Sequence, residues 1–481
     1  MCYSTIFWET APASGRESKE ISRHMTEPRF AALILAAGSG TRMQSALPKV
    51  MHKIAGRPMI LHLLAALEPL LPAATIVVLA PEMEAVARAV AAHTENMARC
   101  VEQDPPQGTG DAVRAARPLL APLLAPDGDV AEVLVLYGDT PLLEGETLTR
   151  LLSERRRSGA AIVAAGMRPA DPGPYGRLVV APDGALEEIV EAADAGPQQR
   201  AIGLCNGGIM AVAGRHLFDL VAALDRDNSK GEFYLTGIVR LARRKGLLCR
   251  AVELPAEELI GINTRAELAA AEALMQRRLR WRAMAAGATL VAPETVFLCA
   301  DTHLGRDVVV EPHVVFGPGV TVGDRSQIRA FSHLEGAEIG KGAIVGPFAR
   351  LRPGAVLEEE VHVGNFVEVK AARLGAGVKA NHLSYLGDAE VGTGTNIGAG
   401  TITCNYDGLN KWRTTIGARV FIGSNTALVA PISVGEGAFV AAGSTVTRDV
   451  PAEALTIARG RQIDKPGGAA EIRARLRGKK S

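Results

Sequence analysis

The chain has 481 residues, and its 53 Lys and Arg nearly balance 52 Asp and Glu. Two or three domains with ample core are expected at this length, and the charge balance gives no reason to expect nucleic acid or an anionic membrane as partner. No apolar run approaches the about 18 residues of a membrane span. The six cysteines (Cys2, Cys100, Cys205, Cys249, Cys299, Cys404) are scattered without a C-x-x-C pair. That argues against a disulfide framework or a structural zinc site and suits a reducing cytoplasm.

Met1 to Pro28 has mixed charge and no sustained apolar segment, so it is not a secretory signal. Residues 1–24 are expected to be a disordered extension, or a start placed too early with Met25 as the true one. From Arg29 to about Pro255 short apolar runs alternate with Ala/Leu-rich helical patterns. "AALILAAG", "ATIVVLAP", "EVLVLYGD" and "AAIVAAGM" read as strands. "PMILHLLAALEPLL" and "EAVARAVAAHT" read as helices between them. Strands apolar on both faces, alternating with helices, predict a mostly parallel Rossmann-like α/β sheet. Ligands of such sheets bind at the carboxyl ends of strands.

The first strand runs into "AALILAAGSGTRMQSALPKV", Ala31 to Val50. It lacks both the Gly-Lys-Ser/Thr ending of a P-loop and the third glycine of Gly-x-Gly-x-x-Gly. Gly38 and Gly40 allow close backbone approach to a phosphate. Arg42 and Lys49 can neutralise charge on a departing pyrophosphate. A lone lysine is more often a solvated one, but a Pro just before it on a short loop favours a fixed, pointed side chain. "LYGDTPL" sets Asp139 at the end of an apolar strand, placed for Mg²⁺, although a turn Asp is the common alternative.

Together, Leu-x-x-Gly-x-Gly-Thr-Arg-Met and Pro-Lys resemble the signature of sugar-1-phosphate nucleotidyltransferases. The resemblance implies that Leu35, Ala36, Ala37 and Gly38 line the base and ribose. In "VEQDPPQGTGDAV", Gln103, Gly108 and Thr109 resemble uracil-reading residues. Tyr137, Gly138 and Asp139 follow. Gly176, Glu191 and Asn206 resemble contacts to an N-acetyl sugar, and Asn263 resembles a second Mg²⁺ ligand beside Asp139. The chain departs from its relatives at Gly207, where Thr is frequent, and at Ala192-Ala193, where charged residues are frequent.

"TRAELAAAEALMQRRLRWRAMAA", Thr264 to Ala286, reads as a long connecting helix. After Thr289 aliphatic-Gly pairs recur at Val322, Ile339, Val345, Val363, Val391, Ile397, Ile416, Ile422 and Val434. Most intervals are at or within one of a multiple of six, the hexapeptide repeat of a parallel β-helix. The aliphatic residue points inward and the small one permits the corner. The Ile397 to Ile416 interval of 19 is one residue over three hexads and contains "TCNYDGLNKWR". An excursion of this chemistry on a rigid scaffold predicts a functional loop.

Polar residues also gather in this half. Arg352 and Lys370, with Glu368 in the same motif, stand out: the Arg and Lys offer a phosphate clamp, and His382 is a candidate general base. Singly, each is more often a solvated residue. With Tyr385, Asn396, Ala399, Asn405 and Tyr406, the motifs resemble the acetyltransferase half of bacterial bifunctional N-acetylglucosamine-1-phosphate uridyltransferases/glucosamine-1-phosphate N-acetyltransferases. That family's coil is left-handed, a hand taken from the resemblance and not from the repeat.

The resemblance implies that His382 deprotonates the amine and that Asn405 orients His382. Arg352, Lys370, Tyr385 and Asn396 bind the sugar phosphate. Ala399, Asn405, Tyr406, Ser424, Ala442 and Arg459 hold acetyl-CoA. Substrates would be UTP, glucosamine-1-phosphate, N-acetylglucosamine-1-phosphate and acetyl-CoA, with Mg²⁺, in a cytoplasmic homotrimer feeding peptidoglycan and lipopolysaccharide precursors. The expected layout is a uridyltransferase domain over 25–263, a linker helix over 264–286, an acetyltransferase β-helix over 287–458 and a tail over 459–481. Two rivals remain: a nucleotidyltransferase for another sugar or base whose β-helix serves assembly only, and a non-catalytic interaction protein like translation-factor exchange subunits.

Overall fold

Alternate residues of the first strand, Arg29–Leu35, enter opposite cores: Ala31, Leu33 and Leu35 pack into one cluster, Ala32 and Ile34 into another. A strand buried on both faces needs helices on both faces. The computed structural model describes residues 29–38 and 40–477, so the expected extension over 1–24 lies outside the described residues. Helices Met59–Leu67 and Gly145–Ser158 cover one face; Thr109–Ala115, Gly214–Ala222 and Gly237–Arg244 cover the other.

The sheet order is Cys249–Glu253, Ile162–Met167, Cys205–Ala213, Val130–Tyr137, Arg29–Leu35, Ala74–Leu79, Arg99–Glu102. Along this path only Cys205–Ala213 runs against its neighbours. The mostly parallel expectation therefore holds, with one reversal that a largely apolar strand does not announce. The chain leaves Arg29–Leu35 toward one sheet edge and returns on its other side with Val130–Tyr137. That makes the pair the topological switch point, where a crevice opens at the carboxyl ends. Leu35 and Tyr137 are in register there.

The chain divides into two compact units, with the boundary between Met275 and Gln276. It falls inside the helix Arg265–Ala285, close to the predicted span.

The second unit coils through three parallel ladders, called face A (10 strands from Thr289–Leu290), face B (8 from His303–Leu304) and face C (8 from Val315–Phe316). Every aliphatic member of the aliphatic-Gly pairs is buried. Left-handed backbone recurs at the corners even in bulky residues, His313, Phe331, Phe348 and Phe366 among them. Their rings stack at 4.9, 5.0 and 5.3 Å along the coil, which offsets part of the cost of that conformation.

The excursion is larger than the sequence arithmetic suggests. Ile397 and Ile416 lie on different faces, A and B; the face-A partner of Ile397 is Ile422, 25 residues on. Neighbouring face-A steps take 17 or 18 residues, so about seven extra residues, not one, leave the coil. They form a loop closed by the Tyr406–Lys411 bridge. Asp407 knits it by accepting bonds from Asn410 N (2.6 Å), Trp412 Nε1 (2.6 Å) and Leu409 N (2.8 Å). The Asn410 amide, then Trp412 and Leu409, hold its carboxyl down at about 2.

After the last ladder the predicted tail holds the helix Gly468–Arg477, which has no buried residue.

Candidate functional site

Two cavities meet at the switch point. The larger, about 500 Å³, is lined by Leu35, Ala36, Ala37, Gly38, Lys49, Gln103, Gly108, Thr109, Tyr137 and Asp139. Its Leu35, Val50, Ala80, Pro106 and Ala112 walls suit a flat apolar ring. The second, about 380 Å³, is lined by Thr109, Tyr137, Asp139, Gly176, Glu191, Asn206 and Asn263 among others. Thr109, Tyr137, Asp139 and Glu232 border both. Nearly every predicted residue of this half is thus brought together. Gly138 lies behind the wall, its N donating to Leu35 O at 2.9 Å. Arg42 is exposed on the Thr41–Met43 turn and lines neither cavity.

Sequence-distant pieces converge for topological reasons. The reversed direction of Cys205–Ala213 carries its first residues, with Asn206, to the edge where its neighbours end. Ile262 N donates to Asp139 O at 3.0 Å, which draws Asn263 beside Asp139. Lys49 Nζ pairs with the Asp139 carboxylate and donates to Asn263 Oδ1 at 3.1 Å. Gly40 (φ 64°) permits this turn: a Cβ there would lie 2.6 Å from Lys49 Cβ. Among the described residues no group of three or more His, Cys, Asp and Glu could hold a metal. One carboxylate and one amide oxygen converging on a cation nevertheless fit Mg²⁺, which takes few protein ligands beside waters and phosphates.

Burial, then the Glu191 charge, pushes the Tyr137 phenol well above its usual range, leaving a neutral hydroxyl. Burial also raises Glu191; the bond from Thr236 Oγ1 (3.1 Å) and the Lys230 charge oppose it. The departure at Gly207 has a steric counterpart, since a Cβ there would lie 2.7 Å from Leu259 Cδ1. Sequence reasoning passed over Lys230, Glu232 and Tyr234, which line the second cavity. The signal was a charged and aromatic run, "KGEFY", following the polar stretch "DRDNS".

On the β-helix, Arg352 Nη1 donates to Glu368 Oε1 at 2.8 Å and Lys370 Nζ to Asp388 Oδ2 at 3.4 Å. Tyr385 stands in register with Glu368 on face C. Asn405 donates to Asp388 and, at 3.4 Å, to Tyr385 Oη, rather than to His382. His382 Nδ1 instead meets Asn365 Oδ1 at 2.9 Å, from the register-matched position one coil earlier. Asn365 and Asp388 were missed, although an offset of one coil finds both. Asn396 lies on face A, apart from the face-C residues Lys370 and Tyr385.

A corner column joins the rest. Gly400 N donates to His382 O, Asn425 N to Ala399 O, Gly443 N to Ser424 O, and Arg459 Nη1 to Ala442 O. His382, Ala399, Ser424, Ala442 and Arg459 therefore climb successive coils. At about 4.8 Å per strand step the column spans about 19 Å, a length that suits an extended thioester carrier. Tyr406 is exposed on the excursion.

Residues 32–235 match the MobA-like NTP transferase domain, 301–336 the bacterial transferase hexapeptide (six repeats) and 413–448 the hexapeptide repeat of succinyl-transferase. The hexapeptide matches bear out a left-handed β-helix. "Bifunctional protein GlmU" of Paramagnetospirillum magneticum is 54% identical over 95% of this chain and 99% of its own length. That of Rhodospirillum rubrum is 57% identical over 93% and 98%. That of Acidiphilium cryptum is 56% identical over 92% and 98%. With more than half the positions shared along almost the whole of both chains, this chain belongs to the family of the bifunctional GlmU proteins.

Proposed function

We propose that the chain makes UDP-N-acetylglucosamine in two reactions, acetylating glucosamine-1-phosphate on the β-helix and then joining the product to UTP in the α/β unit. The two abutting cavities that share Tyr137 and Asp139, with Lys49 at their junction, carry the proposal. Neither rival accounts for a nucleotide-sized and a sugar-sized cavity together with a paired His382.

In the uridylyl transfer, a phosphate oxygen of N-acetylglucosamine-1-phosphate attacks the α-phosphorus of UTP, and the bond to pyrophosphate breaks. The cavity of Leu35–Gly38, Gln103, Gly108 and Thr109 holds the uridine. Glu191, Asn206, Gly176 and Tyr137 hold the sugar. Asp139 and Asn263 would hold Mg²⁺, which supplies neutralisation of the triphosphate. Lys49 exchanges Asp139 for the phosphates, and Arg42 would reach them by closure of its turn.

In the acetyl transfer, the amine nitrogen attacks the thioester carbonyl and coenzyme A leaves as the thiol. Asn365 Oδ1 can only accept, so Nδ1 of His382 carries its proton and Nε2 is left to take one from the amine. Arg352, Lys370 and Tyr385 take the phosphate. The column Ala399, Ser424, Ala442 and Arg459, with Asn405 and Tyr406, takes acetyl-CoA.

Asn396, standing on another face, would serve a neighbouring copy in a cytoplasmic homotrimer. No described helix is long and apolar enough to cross a membrane. We assign 25–263 to uridylyl transfer, 287–458 to acetyl transfer and 264–286 to their connection. The product would feed peptidoglycan and lipopolysaccharide precursors.

The test is reciprocal. Lys49→Ala should cut pyrophosphate release about 10²–10³-fold and leave coenzyme A release unchanged; His382→Ala should do the reverse. The same preparation, weighed by light scattering, should give three chains. Pyrophosphate release that survives Lys49→Ala, or an acetyl transfer that dies with it, overturns the assignment.

A further inference from the structure

The turn that carries Lys49 has little packing of its own. From Thr41 to Lys49 most residues are exposed, and only Met43 is buried. The segment is tied down from far along the chain, by the helix that begins at Arg265. Arg265 Nε donates to Met43 O at 3.3 Å, and its Nη1 meets His52 Nδ1 at 3.1 Å. Glu272 Oε2 accepts from Ala55 N at 2.7 Å. Ala55 needs that support, because its φ of 45° and that of Gly56 (76°) make a tight turn between Lys53–Ile54 and Arg57–Pro58.

The first turn of the same helix fixes Asn263. Glu267 Oε2 accepts from Asn263 N (2.6 Å) and Thr264 N (2.8 Å), while Glu267 N donates to Thr264 Oγ1 at 3.2 Å. This is a capping box. Arg265 therefore stands two residues from one Lys49 partner while gripping the segments on either side of Lys49, at Met43 and His52.

We propose that Arg265 is a positioning residue for uridylyl transfer: through Met43 O and His52 Nδ1 it sets the Lys49 turn against Asn263 and Asp139. The start of the connecting helix thereby belongs to the nucleotidyl-transfer site. The inference rests on the proposed uridylyl transfer. Arg265 does not line the base-and-ribose cavity, so its role concerns the transfer step and the Mg²⁺ pair rather than UTP capture. Burial, then the Arg265 charge, lowers the His52 pKa, in keeping with a neutral ring that accepts at Nδ1.

The test uses the full chain. Arg265 is solvent-exposed, so Arg265→Ala should fold. It should lower kcat for pyrophosphate release about tenfold and raise the Mg²⁺ needed for half-maximal rate several-fold. KM for UTP should stay within about twofold, and coenzyme A release should be unchanged. Arg265→Lys should recover part of the rate. The Arg265→Ala/His52→Ala double variant should be no slower than the slower single variant, because the two share one contact. If Arg265→Ala fails to fold, His52→Ala carries the same prediction.

Unchanged kcat and Mg²⁺ dependence in the variants overturn the inference, and so does a loss that Lys fails to relieve. An inactive wild type would instead sink the uridylyl-transfer assignment.

Discussion

Removing the Asn365 side chain tests the base in the β-helix more sharply than removing the base itself. Asn365→Ala deletes one hydrogen bond, from His382 Nδ1 to Oδ1 at 2.9 Å, and leaves the coil intact, since the residue faces outward and is half-buried. Under the proposed acetyl transfer, the bond would strengthen as the ring takes the amine proton and becomes an imidazolium. A hydrogen bond to a charged group contributes about 1.5–3 kcal/mol, and about 1.36 kcal/mol is tenfold in rate. The ceiling is therefore about 10- to 150-fold. His382 is exposed, so water replaces part of the lost bond, and about tenfold is expected in kcat for coenzyme A release, followed with a thiol reagent at saturating substrates. The KM for glucosamine-1-phosphate should hold, because Arg352 and Lys370, to which we assign the phosphate, are untouched.

Two companions isolate the cause. Asn365→Asp places a carboxylate beside Nδ1 and favours the charged ring, so the acid limb of the pH–rate profile should move to higher pH. In a His382→Ala background the second change should cost nothing further. Asn365→Ala within twofold of wild type, or a full additional loss in that background, refutes the role given to Asn365.

Two other outcomes follow from the α/β unit. Glu191 has a folded-state pKa raised above its ordinary value of 4.5, chiefly by burial. Above that value the native state holds the proton more tightly than the unfolded chain, so its contribution to stability is lost as pH rises through the folded pKa. Glu191→Gln does not titrate, so its Tm should gain on wild type from pH 4.5 toward 7 in scanning calorimetry; a gap that stays flat or narrows contradicts the burial argument. Gly207→Thr forces a Cβ to within 2.7 Å of Leu259 Cδ1 and should cost about 1–3 kcal/mol by overpacking. Leu259→Val should restore most of it in denaturant titration, and a Gly207→Thr chain as stable as wild type would show that Leu259 moves freely.

The residues legible in the sequence were those whose chemistry is fixed by a local motif. Lys49 after Pro48 and Asp139 at a strand end stood out in their local motifs, and Asn263 before a helix entered through the resemblance. Their meeting across 90 and 214 residues of sequence is a property of the switch point. Direction and latching were illegible. Apart from Asn206, Cys205–Ala213 is small or apolar in alternate and adjacent positions alike, so nothing in its pattern says that it runs backwards and delivers Asn206 to the site edge. Arg265 and Glu272 look like ordinary charges on a helix, and their partners, Met43 O and Ala55 N, are backbone atoms that no side-chain motif marks.

The β-helix differs, because its long-range neighbours obey arithmetic. A residue on one coil meets the residue 17 or 18 positions away, as Asn365 meets His382 and Lys370 meets Asp388. Once the hexad ladder is seen, candidate partners of any polar residue can be counted off without coordinates. The counting departs furthest at the 25-residue step from Ile397 to Ile422, against a 20-residue first step and a 16-residue last step on the same face. There the chain spends its extra residues on the loop that begins at Asn405, whose side chain turns back to Asp388 and Tyr385. The break in the period and the polar cluster therefore meet at one residue: the ladder holds outward side chains such as Glu368 and Tyr385 in fixed columns, and Asn405 reaches Tyr385 and Asp388 from backbone that has left the ladder.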